Sequence, residues 1–241
     1  MAVEEVTING NTVFRDDALT HRWYDAIGPN VCKLVEDFVN VPFSAADQMA
    51  GWLATLVEGG DGETTVALVT GSESGALLIT SDDDDNDGAN VQLLGEAFYL
   101  ALAYPTYIGA KFQLSAVTQS DAGIGLAISD TTALAGCSDA LWFRTDDADS
   151  TLYLVAEKDS VETAIGLTTL VAATDVTAEM LFLNGVVHVY INGVEVAQLA
   201  NSNPNFPDDE YLTPSICFLS GADEVKTMTV DWFRVLQIQA V

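Results

Sequence analysis

The stretch Met180–Leu199, MLFLNGVVHVYINGVEVAQL, limits what this chain can fold into more than any other. It holds two Asn-Gly pairs, Asn184-Gly185 and Asn192-Gly193, each set between β-branched and aromatic residues. Asn-Gly accepts positive φ at both central positions of a type I′ turn, whose twist matches that of paired strands. The spacing therefore predicts three antiparallel strands in a meander. In the middle strand Val187, Val189 and Ile191 share one face, and His188 and Tyr190 share the other.

More sheet is expected on both sides. Thr64–Val69 and Ala76–Thr80 read as a hairpin. Ala110–Val117 sets Phe112, Leu114 and Ala116 against polar neighbours, and Gly123–Ser129, Ala140–Arg144 and Thr151–Ala156 read as further strands. Thr227–Ile238 would bury Met228, Val230 and Trp232 and then Phe233 and Val235, a change of face that predicts a β-bulge near Asp231. About a dozen short strands, with no βαβ alternation, predict an all-β fold, best met by a two-sheet antiparallel jelly-roll sandwich over residues 31–241. Residues 1–30 stand apart as an N-terminal arm or packed extension, with a hairpin at Asn9-Gly10 and a short helix over Arg15–Ala26. Ser44–Leu56 reads equally as a helical turn or an irregular strand.

Charge narrows the partners. Eight Lys+Arg against 36 Asp+Glu give a formal net charge of −28, spread evenly along the chain. Such a surface repels phosphate backbones and anionic bilayers, so neither nucleic acid nor membrane is an expected partner. No apolar run approaches the ~18 residues of a membrane span. Cys32, Cys137 and Cys217 are widely spaced and odd in number, which argues against a disulfide framework and suits a reducing cytoplasm.

Few motifs carry chemistry. Asp83, Asp85 and Asp87, followed by Gly88, match the first half of a calcium loop, where alternating carboxylates suit a hard cation. The position that should carry the bidentate glutamate is Leu94. Ca²⁺ is therefore the one candidate cofactor, and the bland alternative is a solvated acidic turn. Gly71–Gly75 has Glu73 where a nucleophile elbow needs serine. Glycoside hydrolysis needs paired carboxylates, whereas here the acids concentrate in loops. The in-strand exceptions are Glu195 and Asp231, and Asp231 beside Trp232 is a candidate sugar-binding pair. No enzymatic activity is expected on these grounds. Arg15, His21, Arg22, Trp23 and Tyr24 concentrate basic and aromatic side chains in the N-terminal segment, the types most enriched at binding hot spots. They are the candidate partner-binding residues, with packing onto the chain's own sandwich as the alternative.

The segments Val35–Phe38 (VEDF), FLNGVVHVYINGVEV, PDDEYLTPSICFLSG and KTMTVDWFRVLQI, with DDNDGANVQ at Asp84–Gln92, resemble the concanavalin A-like, laminarin-type jelly roll. In that fold the first and last strands lie side by side. The carboxylate motif of the family's glucanase members is missing here. The ending also resembles head decoration, or cement, proteins of marine tailed bacteriophages. That resemblance implies a virion protein made in the host cytoplasm, binding the major capsid protein on the outer shell and associating with itself as a trimer. The alternative is a lectin-like carbohydrate-binding module, with or without calcium.

Overall fold

The computed structural model describes residues 2–39, 43–45, 48–59, 63–69, 71, 75–147 and 149–239, with backbone alone over 43–45 and at 48. The chain opens with β1 (Val3–Ile8), β2 (Asn11–Asp16), β3 (Trp23–Ile27) and β4 (Val31–Glu36). Next come β5 (Phe43–Ala45), β6 (Gln48–Met49), β7 (Trp52–Val57), β8 (Thr65–Leu68), β9 (Leu77–Thr80) and β10 (Gly88–Leu93). Then β11 (Phe98–Tyr99), β12 (Thr106–Leu114) and β13 (Ser120–Ala127) lead to a four-residue helix, α1 (Ala133–Gly136). The rest is β14 (Ala140–Thr145), β15 (Thr151–Lys158), β16 (Val161–Thr169), β17 (Val176–Leu183), β18 (Val186–Ile191), β19 (Val194–Ala200), β20 (Tyr211–Ser220) and β21 (Thr227–Ile238).

Two antiparallel sheets make the sandwich. The front sheet runs β16-β15-β14-β13-β20-β10-β7, and β11 adds to β20. The back sheet runs β19-β18-β17-β12-β21-β9-β8, and β4 adds to β21. First and last sandwich strands are thus neighbours, with Val35 opposite Arg234 and Phe233 opposite Glu36. Between the sheets lies one continuous core containing Ile124, Leu141, Phe143, Leu154, Ile216 and Phe218 from the front and Phe112, Met180, Val187, Val189, Val230 and Phe233 from the back. Alternation decides what stays outside, because each inward residue leaves its strand neighbours on the outer face.

The meander forms as its turns predict: Asn184, Gly185, Asn192 and Gly193 all adopt positive φ, and β17-β18-β19 pair in order. The 64–80 hairpin is present as β8 and β9. The bulge in the last strand is also present. Lys111 faces Trp232 and Phe112 faces Val230, so Asp231 is the extra residue. One detail differs: Trp232 lies on the outer face, and Phe233 resumes the buried series. Among the described residues of the 44–56 region, strands β5, β6 and β7 take the irregular-strand reading, with a turn at Ala50 and Gly51. Residues 60–62 of the Gly59–Gly62 loop and residues 72–74, with Glu73, lie outside the described residues.

The expected helix over Arg15–Ala26 is corrected. Those residues supply the end of β2, a turn and β3, so β1-β2-β3 form a small sheet with Ile8 opposite Asn11 across the Asn9-Gly10 turn. The reason is Trp23. It is fully buried together with Val13 and Ala26 against Tyr107, Leu181, Leu236 and Ile238 of the back sheet, and that apolar demand overrides a weak helix propensity.

Candidate functional site

The β21 bulge has a local consequence. An extra residue rotates the strand, so Asp231 and Trp232 both leave the core and reach the outer face of the back sheet. Arg234 follows two residues later on the same face, and β4 brings Val35 and Asp37 alongside. Asp37, Val39, Asp231, Trp232 and Arg234 line a cleft of about 420 Å³.

Its charges are arranged in pairs. An Arg234 Nη2–H group donates to Asp37 Oδ1 at 3.0 Å, while the guanidinium carbon lies 4.9 Å from the centre of the Trp232 ring. Cation–π attraction and the Asp37 bond together fix the indole's orientation. Lys111 reaches from β12 to Asp231 and also pairs with Asp175 at 3.0 Å. The hydrogen bonds to Asp231 and Asp175 hold the Lys111 ammonium above its ordinary range. The cleft therefore offers one aromatic platform and ionised carboxylate acceptors at its rim. Hydroxyl-rich rings are recognised by that combination, through apolar contact with the indole and donation to carboxylates.

Sequence reading singled out Asp231 and Trp232 but missed Asp37, Val39 and Arg234. The signal was the pairing of VEDF with DWFR, which places those residues side by side only once β4 and β21 are neighbours.

The acidic loop converges differently from its sequence pattern. Carboxylate oxygens of Asp82, Asp84 and Asp87 lie within 4.8 Å of one another, while Asp83 and Asp85 are exposed. Of the expected Asp83, Asp85 and Asp87, only Asp87 joins the cluster, because the turn over 83–86 breaks strand alternation. Asp87 Oδ1 accepts from the Gly59 N–H at 2.6 Å. Desolvation, then Asp87 and Asp83, push the Asp84 carboxyl up.

The basic-aromatic residues of the N-terminal segment contact the chain's own sandwich. Trp23 is buried, which corrects its placement at a partner surface. Arg22 Nε–H donates to Glu179 Oε2 at 2.6 Å, and the Tyr107 hydroxyl donates to Glu179 Oε1 at 2.9 Å. Tyr24 donates to Asp16 at 2.7 Å, Arg15 pairs with Glu4 at 3.1 Å, and His21 stacks on His188 with ring centres 3.9 Å apart. Desolvation, followed by the His188 charge, holds His21 below the usual histidine range.

On the opposite side of the molecule, the front sheet's outer face carries Asp121, Trp142, Arg144 and Tyr153, partly covered by the segment 128–139. Asp121 is pushed up to about 6, first by burial and then by the Asp147 charge.

No family model matches the chain, and no curated protein matches it. Solved structures do share its fold. A protein of unknown function from Shewanella oneidensis MR-1 matches with a TM-score of 0.61 at 15% identity, covering 88% of each chain. An endo-1,3-beta-glucanase from Streptomyces sioyaensis matches with a TM-score of 0.58 at 13% identity, covering 90% of this chain and 99% of its own. A beta-1,3-1,4-glucanase (lichenase) from a mouse hindgut metagenome matches with a TM-score of 0.57 at 13% identity, covering 87% of this chain and 99% of its own. The concanavalin A-like jelly roll expected from sequence is therefore the fold. The expectation that the chain is no enzyme is corrected by the same finding: this architecture, over nearly its whole length, is that of glucan-cleaving enzymes. Capsid decoration draws no support from these likenesses.

Proposed function

We propose that this protein engages a hydroxyl-rich glycan at the cleft between β4 and the β21 bulge. The observation that carries the reading is Trp232 held by Arg234 within a cleft of about 420 Å³, between the carboxylates of Asp37 and Asp231. Likeness in fold to glucan-cleaving enzymes supports a glycan as the ligand class. Arg234 in the cleft and Lys111, which reaches Asp231 from β12, are each already paired with carboxylates, so the site suits a neutral glycan better than a sulfated or uronic one.

The test is a calorimetric titration with a neutral β-glucan hexasaccharide, with the Trp232 indole resonance of the unmodified chain reporting where it binds. Saturable binding that shifts this resonance is expected, and the affinity should fall about tenfold in Trp232→Ala, the scale of one lost aromatic contact. Binding unaffected by Trp232→Ala would overturn the assignment of the cleft. New reducing ends in the same samples would show that the protein cleaves the glycan as well as holding it.

A further inference from the structure

The front sheet's outer face is covered by the segment 128–139, which carries α1. Beneath it lie two buried polar atoms with no partner among the described residues: the Nε1–H of the fully buried Trp142, and the Oδ1 of Asn90, which is 2% exposed. Trp23 Nε1 is also unpartnered, but that indole sits in the apolar layer under β1–β3 and lines none of the cavities described here. Under the 128–139 segment Asn90 itself lines a cavity, and Trp142 lies in the apolar cluster against which the cavity wall Leu134 packs. A cavity of about 120 Å³ is lined by Asp121, Leu134, Arg144, Thr145 and Asp146. A second, of about 180 Å³, is lined by Asn86, Asn90, Thr132, Leu134, Ala135 and Leu219, with Val57. Leu134 is the wall common to both.

At Gly123 a Cβ would come within 2.8 Å of the Trp142 ring and 3.1 Å of Leu134 Cδ2, so the missing side chain leaves room for the indole and Leu134 to approach the strand together. The centre of the cover rests on the sheet through Ala133, buried in the cluster with Trp142, and through the Asn90 Nδ2–H bond to Thr131 O at 2.7 Å. Helix α1 has four residues and no side-chain cap, and the Asp130 bonds to the Thr132 N–H and hydroxyl at 2.7 and 3.0 Å stay within the segment. Its ends are firmer. Gln92 bonds both Ile128 O at 3.0 Å and Asp130 N–H at 2.9 Å, and Ser160 N–H donates to Ser138 O at 2.8 Å.

We propose that residues 131–136 form a strap that lifts about its anchored ends, joining the two cavities into one groove that binds a hydroxyl-bearing ring on Trp142 and Asn90. Lifting removes the Leu134 wall and uncovers the indole. A ring stacked there takes the Trp142 N–H at one hydroxyl oxygen. The Asn90 amide, released from Thr131, both donates to and accepts from neighbouring hydroxyls, so both orphaned groups gain partners. Asp121 and Arg144 stand at one end of the joined groove, and Asn86 at the other. This site is separate from the Trp232 cleft and lies on the opposite sheet.

The test uses the full chain, the same neutral β-glucan hexasaccharide and two readouts. Hydrogen exchange should show amides of 131–136 exchanging at least tenfold faster than those of β13 and β14, and slowing on ligand. The Trp142 indole resonance, identified by its loss in Trp142→Phe, should shift on titration in a Trp232→Ala background, and Leu134→Ala should tighten that binding several-fold by easing the opening. Strap amides as protected as β13 and β14 would overturn the proposal. So would a titration that moves the Trp232 indole alone in the unmodified chain, an outcome that leaves the cleft reading standing. Shifts at neither indole would overturn both.

Discussion

Both outer faces of the sandwich are covered, and the two covers are held by different physics. On the back sheet, β1–β3 bring Val13, Trp23 and Ala26 onto Tyr107, Leu181 and Leu236, and Arg22 reaches a nearly buried Glu179. That carboxylate accepts from both Arg22 and Tyr107, so desolvation is offset by charge-assisted bonds in a site that excludes water. On the front sheet the 128–139 segment, which carries Cys137, covers Trp142 and Cys217, yet leaves Trp142 Nε1 and the cavity-lining Asn90 Oδ1 without partners among the described residues. A cover with a satisfied charge at its centre behaves as part of the fold. Each cover leaves an indole N–H unpartnered among the described residues, Trp23's at the back and Trp142's at the front; the front adds the unpartnered Asn90 Oδ1 beside a cavity, which sets it closer to its opening threshold.

The comparison breaks most readily at Glu179. Replacing it with Ala takes away the carboxylate that Arg22 and the Tyr107 hydroxyl share and leaves Arg22 its longer contacts with Asp16 and Tyr24, so about 3 kcal/mol of stability should be lost. Chemical denaturation measures this, and a loss below about 1 kcal/mol would show that the back cover is not held by its ion pair. Gly123→Ala probes the front cover. The new methyl meets the Trp142 ring at 2.8 Å, so overpacking should cost about 1–3 kcal/mol. A neutral result would mean the indole and the strap yield together, which would itself sharpen the contrast.

Two smaller effects depend on pH. Asp121 on the front face titrates at about 6 in the folded chain, above its ordinary value of 3.8. Its charged form is thus disfavoured by folding, a cost fully present above about 6 and relieved as pH falls toward 3.8. Asp121→Asn should therefore raise the melting temperature at pH 7.5, and the gain should shrink steadily between pH 6 and 4. An unchanged melting temperature at pH 7.5 would show that the front face already solvates this carboxylate. His21 behaves in the opposite sense on the back face. Folding lowers its pKa, so stability present above the ordinary histidine value of 6.5 declines as pH falls below it. In His21→Gln the acid-side loss over that window should be smaller, read as a flatter melting-temperature profile between pH 6.5 and 5.5. The groups facing the imidazole are His188, Glu195 and Arg15, and the neutral carboxamide keeps them in place.

The sandwich was legible because its signals are local. Asn184-Gly185 and Asn192-Gly193 demand positive φ, and that demand sets the turns whatever the rest of the chain does. Alternation in Val186–Ile191 and around Phe112 and Leu114 assigns faces with a period of two, which needs no knowledge of the partner strand. Even the bulge at Asp231 was readable, since a break in alternation has few other causes.

What only the tertiary structure decided depends on which surfaces meet. Residues 15–26 have no strong local preference, and the back sheet's exposed apolar face drew Trp23 down as strand. The cleft needed β4 beside β21 before Asp37 and Arg234 could meet over Trp232, although 197 positions separate them in the chain. The strap's two unpaired groups, Trp142 and Asn90, come from strands separated in the front sheet by β13 and β20, and no spacing in the sequence connects them. Turns and alternation are properties of neighbouring residues and can be read in order. A site is a property of surfaces brought together by burial of the core, and long-range packing of that kind leaves no period in the chain.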